Sequence, residues 1–201
     1  MLFDPEPPLN PQSGKWSGDK NAELDDEHLW ENVTKDNALA FSVLYKKYVQ
    51  KLYNFGIHLC HDHDLVLDCM QELFATLWTR RQQLDVIHSV NAYLIMSFRR
   101  LLIKRVTWRR RFMMKLSPAA EFDVVPPIES TIVSVEQAEL VLLKLGSAIK
   151  SLTRRQREAI FLKFYNDLTY AEIALVMDLH VDSIYNIISK ALSNLRRSMG
   201  K

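Results

Sequence analysis

An all-α fold, two small helical domains joined by a flexible linker, is predicted by three features of the sequence. Glycine and proline are scarce, five and seven in 201 residues, while apolar residues make up 48%, the balance of a mainly helical chain. Apolar residues recur at spacings of three and four over most of the length, the period of helices with one buried face. That texture fails over Ser117–Ser134, where Pro118, Pro126 and Pro127 stand among Glu121, Asp123 and Glu129, as in an extended linker. Four segments result: a disordered acidic tail at 1–26, a helical domain at 27–116, the linker at 117–134 and a second helical domain at 135–201.

The tail holds Pro5, Pro7, Pro8, Pro11, Gly14 and Gly18 and too little apolar surface to fold. A short helix over Glu27–Lys35 leads into a long one, Ala38–Leu59, with Phe41, Leu44, Tyr45, Tyr48, Leu52, Phe55 and Leu59 on its core face. After a break at Cys60–His63, a third helix, Asp64–Gln82, turns Leu65, Cys69, Leu73, Phe74, Leu77 and Trp78 inward. Leu84–Ser89 reads as a loop. A fourth helix, Asn91–Lys115, begins apolar with Tyr93, Leu94, Met96 and Phe98 and becomes strongly basic. Beyond the linker, Glu136–Ile149 offers Leu140, Leu143 and Leu145 to a helix. Thr153-Arg154-Arg155-Gln156 is a capping box opening Arg154–Tyr165, with Ile160, Phe161 and Phe164 expected inside.

Thr169–Arg197 then reads as a helix, a tight turn and a longer helix. Thr169 and Glu172 form a second capping box, and Ile173, Ala174 and Met177 are buried. In the longer helix Ile184, Ile187, Ile188, Ala191, Leu192 and Leu195 gather on one face. Asp182, Ser183, Tyr185, Asn186, Ser189, Lys190, Arg196 and Arg197 gather on the other. One buried stripe opposite hydrogen-bonding and cationic groups suits a helix laid in a DNA major groove. It equally describes a bundle helix with a solvated face.

The net charge of +2 conceals polarity. Residues 1–36 carry a balance of −6, which leaves +8 for the remainder, and Arg99–Lys115 holds Arg99, Arg100, Lys104, Arg105, Arg109, Arg110, Arg111 and Lys115 without an acid. Such a block is a footprint for a polyanion, separate in sequence from the helix-turn-helix. No apolar run approaches the roughly 18 residues a membrane span needs, and the start lacks a signal-peptide layout, so a cytoplasmic protein without membrane insertion is expected. Cys60 and Cys69 are expected as free thiols. The cluster of His58, Cys60, His61, His63, Asp64, Asp68 and Cys69 lacks the spacing of a structural metal site. No nucleophile elbow, glycine-rich phosphate cradle or acidic pair is present. The expectation is a protein that is not an enzyme and takes no cofactor.

In the third helix Asp68, Gln71, Glu72 and Ala75 share a face. Its polar, acidic centre can dock basic groups of a partner protein or simply be solvated.

The ordered set of Phe41-x-x-Leu44-Tyr45-x-x-Tyr48, Asp68-x-x-Gln71-Glu72-x-Phe74-x-x-x-Trp78, Ala92-Tyr93-Leu94 to Arg99-Arg100-Leu101-Leu102, Leu152-Thr153-x-x-Gln156-Arg157-Glu158, Tyr170-Ala171-Glu172-Ile173-Ala174 and Ala191-x-x-x-Leu195-Arg196 resembles the extracytoplasmic-function sigma factors of bacterial RNA polymerase, in the sigma-70 family. The resemblance runs from about Ala38 to Arg197. It implies a region 2 bundle and a region 4 helix-turn-helix, with core RNA polymerase and promoter DNA as partners and an anti-sigma factor as a further candidate. Asp68, Gln71 and Glu72 would bind polymerase. Leu84–Ser89 with Arg99, Arg100, Lys104, Arg105, Trp108 and Arg109 would capture the unstacked −10 strand, since aromatic and basic groups stack on bases and track phosphates. Asp182, Ser183, Tyr185, Asn186, Ser189 and Lys190, with Arg154, Arg155, Arg196 and Arg197 on phosphates, would read the −35 duplex.

The chain departs from the family pattern in three places. Asp178 stands where the turn usually has glycine, Arg99-Arg100 where Arg-Asn is frequent, and Tyr185-Asn186-Ile187 where basic or small residues are frequent. Two other functions fit the residues less fully: a stand-alone LuxR-like DNA-binding regulator, and a helical adaptor that binds protein only.

Overall fold

A computed structural model describes residues 25–113 and 145–199, and every regular element among them is helical. The expected tail up to residue 24 and the expected linker 117–134 lie outside the described residues, as do Leu140 and Leu143. In chain order the elements are α1 (Asp26–Thr34), α2 (Ala38–Cys60), α3 (His63–Thr79), a single 3-10 turn at Arg81–Gln83, α4 (Val90–Met113), α5 (residues 145–151), α6 (Arg154–Phe164), α7 (Tyr170–Met177) and α8 (Val181–Met199).

Local chemistry sets the boundaries. The Asn37 side chain accepts from the Leu39 and Ala40 amides at 3.0 and 3.1 Å to start α2, and Asp62 does the same for Leu65 at 3.0 Å to start α3. His61 ends α2 with φ 52°. Both predicted capping boxes are present, at Thr153/Gln156 and Thr169/Glu172. Asp178 closes α7 in the left-handed conformation, φ 56°. A short polar side chain tolerates that conformation better than most.

In the first unit α2 is the central helix, packed on α1, α3 and α4. Leu44, Tyr48, Leu52, Phe55 and Leu59 are buried along it as expected. The close approach depends on Gly56: a Cβ there would lie 2.9 Å from both γ-carbons of buried Val66 on α3 and 3.0 Å from the Phe98 ring on α4. Tyr45 departs from expectation. It is 42% exposed, on the flank of the core stripe, and meets the Phe74 ring edge-on at 4.8 Å. In the second unit Ala159, Leu162, Ile173, Ala174, Met177, Ile184, Ile188 and Ala191 are buried. Phe164, expected inside, is 60% exposed. The apolar residues of α6 point in two directions, and neither is the one Phe164 takes.

The second of those directions leads to the first unit. Phe161 packs against Phe55 at 6.2 Å and meets the His58 ring edge-on at 4.2 Å, and α7 lies against α4. Buried residues form one apolar cluster from Leu29 to Ile188. Polar ties cross the same junction. The Asn54 amide donates to the Tyr165 hydroxyl, Asn91 donates to the Asn166 carbonyl at 2.7 Å, and Arg99 Nε donates to Glu158 Oε1 at 2.6 Å. The two helical units are therefore docked.

Candidate nucleic-acid interface

The groove between α3 and α4 gathers much of the first predicted site. It encloses about 350 Å3 and is lined by Glu72, Thr76, Arg80, Tyr93, Arg100 and Lys104, among others. Glu72, expected to bind polymerase, thus shares a groove with two cations expected to bind DNA. Asp68 and Gln71 are exposed on the same helix. Leu84, at the start of the predicted capture loop, also lines the groove. The loop is tied to α1 by Trp30, whose indole N–H donates to the Asp85 carbonyl at 3.0 Å and whose ring meets Tyr93 edge-on at 5.1 Å. Tyr93, expected only as part of the apolar start of α4, lines the groove. An aromatic at the apolar start of a helix carries no signal that separates packing in the core from lining a groove.

Three of the basic side chains of α4 already hold carboxylates, one on α6 and two on α3 and its N-terminal cap. Arg99 pairs with Glu158 of α6, Arg105 with Glu72 of α3 at 2.5 Å, and Arg109 with Asp62 at the start of α3. Arg105 is solvent-exposed, and its hydrogen bond with Glu72 raises its pKa above the ordinary guanidinium value. The Arg99–Glu158 pair differs in being enclosed, with side chains 17% and 8% exposed. Arg100 and Lys104 are exposed at the groove, and Trp108 is 63% exposed further along α4.

At the junction His58 is pushed down to about 4, first by burial and then by neighbouring His61. It is a neutral ring packed on Phe161. Burial likewise raises Cys60, and raises Cys69 to about 11. Both are free thiols. Among the described residues no three His, Cys, Asp or Glu side chains converge as a metal site would need.

The second predicted site lies on α8. Ile184, Ile188 and Ala191 are buried, while Asp182, Tyr185, Asn186, Ser189, Lys190, Arg196 and Arg197 are exposed and Ser183 is partly so. The wheel drawn from sequence is thus the wheel observed. Tyr185 lies flat on Tyr170, ring centroids 4.1 Å apart and planes within 11°. Arg154 and Arg155 are exposed at the start of α6, where they line a cavity of about 510 Å3 between the units together with Arg99 and Glu158. Glu172 is tied across the junction as well. Burial alone would raise its pKa, but hydrogen bonds from Ser89 and from the Thr169 amide and hydroxyl hold it below the usual carboxylate range.

Two family models match in this order along the chain: sigma-70 region 2 over residues 44–112 and sigma-70 region 4 over residues 142–195. The chain belongs to the sigma-70 family, in its extracytoplasmic-function group. Its function is to direct promoter recognition at transcription initiation, and the match to region 2 disfavours a stand-alone regulator. Similar curated proteins include the ECF RNA polymerase sigma factor SigK of Mycolicibacterium vanbaalenii, 25% identical over 185 residues, 89% of this chain and 90% of that one. The ECF RNA polymerase sigma factor RpoE of Cereibacter sphaeroides is 27% identical over 162 residues, 80% and 86% of the two chains. In fold, the chain is similar to the sigma factor RpoE in its complex with the anti-sigma factor NepR from Bartonella quintana, with TM-score 0.63, 21% identity and coverage of 80% and 96%. It is also similar to CnrH in complex with the cytosolic domain of CnrY, with TM-score 0.56, 19% identity and coverage of 86% and 95%.

Proposed function

We propose that this sigma factor binds core RNA polymerase through Asp68, Gln71 and Glu72 and reads two promoter elements with two separate surfaces. An unstacked −10 base enters the α3/α4 groove against Tyr93, with Arg100 and Lys104 on its phosphates and the loop Leu84–Ser89 at its rim. The α8 face enters the −35 major groove, where Tyr185 and Asn186 meet base edges and Lys190, Arg196 and Arg197 meet phosphates. The observation that carries this reading is the division of α8 into an apolar stripe centred on buried Ile184, Ile188 and Ala191 and an exposed hydrogen-bonding and cationic face. The protein is a regulator of transcription initiation without chemistry of its own. No described helix is long and apolar enough to cross a membrane, which agrees with action on polymerase in the cytoplasm.

The docked arrangement has a geometric consequence for this reading. Elements at −10 and −35 are separated by roughly 25 base pairs, or about 85 Å of duplex at 3.4 Å each. Arg99 touches α6, and α6 packs directly on α8. With helices about 10–12 Å across, the two reading surfaces lie within a few helix diameters. The units must part before both elements are bound, so the docked form is the form free of promoter. Two similar folds are recorded with NepR, called an anti-sigma factor, and with CnrY. We take an anti-sigma factor that holds the docked form as a partner of this chain too.

In-vitro transcription with purified core enzyme tests the reading. Initiation at a defined start site that depends on added protein is expected. Core-independent footprinting of duplex DNA, with no such initiation, would overturn it.

A further inference from the structure

Tyr185 is 52% exposed on the polar face of α8, one turn from the helix start. A surface tyrosine there would ordinarily exchange rotamers and lose that freedom only on binding. Its ring is instead fixed before any DNA arrives, by the near-parallel stack on Tyr170 at 4.1 Å.

Tyr170 is itself held from two sides. It is the first residue of α7, directly after Thr169. The Thr169 amide and hydroxyl donate to Glu172 at 2.7 and 2.8 Å, and the Glu172 amide returns a bond to the Thr169 hydroxyl at 3.2 Å. The Lys163 ammonium of α6 lies over the Tyr170 ring, 5.2 Å from its centroid, and is aimed by a bond to the Leu168 carbonyl at 3.1 Å. Near-parallel rings at this separation are displaced sideways and attract one another. A cation over one π face adds a second attraction that holds that ring in place. Three helices thus converge on the orientation of one exposed ring.

We propose that Tyr170 is a positioning residue for −35 specificity. It touches no base and holds the Tyr185 ring in the orientation in which it selects at one base pair, with Lys163 supporting the stack. This rests on the reading above that α8 enters the major groove. Fixing the ring beforehand reserves the contact for geometry rather than for ordering a side chain. It also gives this chain a neutral, rigid reader at a position where a flexible cation would choose mainly by charge.

The test uses holoenzyme made from the full chain and core RNA polymerase, on promoters in which each −35 position is varied in turn. Tyr185→Ala identifies the position the ring reads. Tyr170→Ala is expected to flatten preference at that same position, by roughly three- to tenfold, and to leave the ranking at other positions unchanged. Tyr170→Phe keeps the stack and retains the preference, and the double alanine variant is no flatter than Tyr185→Ala alone. Thermal melts of each variant separate this from loss of fold. Equal weakening of every promoter by Tyr170→Ala, or an altered preference at a different position from Tyr185→Ala, overturns the proposal. If Tyr185→Ala flattens no position, base reading by Tyr185 fails first and the positioning role with it.

Discussion

Arg99 and Glu158, 59 residues apart in sequence, close the junction between the two helical units with an ion pair of 2.6 Å that is largely shielded from water. Removing one partner of such a pair leaves the other charge uncompensated, which costs about 3–5 kcal/mol in a fully buried setting. Here the molecule has a cheaper response, since parting the units returns Arg99 to solvent. Glu158→Ala is therefore expected to open the free protein without unfolding either unit. Small-angle scattering should record a larger radius of gyration and circular dichroism an unchanged helix content. An unchanged radius would mean that Phe161 and the amide contacts hold the junction by themselves.

His58 makes the same junction sensitive to pH. Its pKa in the folded protein, about 4, lies below the ordinary histidine value because burial disfavours the charged ring. The unfolded chain therefore binds the proton first as pH falls. The stabilisation is complete above about pH 6.5 and is lost progressively as pH drops toward 4. The melting temperature should fall between pH 7 and pH 5, and His58→Phe, which keeps an aromatic against Phe161, should remove most of that slope. An identical slope in the variant would assign the effect to carboxylates.

Asp178 ends α7 with φ 56°. Asp178→Gly is expected to stabilise the second unit by up to about 1 kcal/mol, and Asp178→Val to cost about 1–2 kcal/mol, because a β-branched side chain collides with its own backbone there. Thermal unfolding of both variants reads the difference directly.

On α3, Asp68 and Gln71 are exposed, and no bond among the described side chains depends on Gln71. Asp68→Ala with Gln71→Ala should lower affinity for core polymerase and leave the melting temperature unchanged. Undiminished capture of core enzyme by the double variant would remove α3 from the polymerase contact.

On α8, Lys190→Ala is expected to weaken binding on all −35 sequences alike, whereas Asn186→Ala changes preference at one position by about 1–3 kcal/mol. Binding measured across single-position −35 variants separates these, and uniform losses from both would exclude base readout by Asn186.

Features decided within a few residues were legible from the sequence. Both capping boxes, the left-handed Asp178 and the two faces of α8 follow from side chains that act on their own helix. The placement of Phe161 and Phe164 was not legible. A helix that packs on two bodies has apolar residues on two sides, and a wheel built for one core cannot tell which phenylalanine serves the second and which stays in solvent. Tyr45 failed for a milder reason, since an aromatic at the margin of a stripe can satisfy one ring contact and remain wet. Most of the junction was invisible, because Asn54 meets Tyr165 across 111 residues and nothing in either sequence neighbourhood marks the other. The candidate site divided the same way. The cations of α4 and the face of α8 were readable as charge and periodicity, while Glu158, Tyr93, Tyr170 and Lys163 gained their roles from tertiary neighbours.

The three arginines of α4 that already hold carboxylates bear on how the protein responds to salt. A lysine or arginine that meets a phosphate ordinarily expels a condensed cation from the nucleic acid, and that release makes binding weaken as salt rises. Arg99, Arg105 and Arg109 must first surrender Glu158, Glu72 and Asp62. Freed Glu158 and Asp62 then gather cations from solution as the strand gives them up, while Glu72 passes to the polymerase contact. For the Arg99 and Arg109 contacts the exchange is nearly neutral in ions. The slope of log affinity against log salt at the −10 strand should be shallower by about one unit than a count of its arginines implies. A promoter served by this protein would keep its −10 contacts in an ionic environment that loosens the duplex contacts of α8.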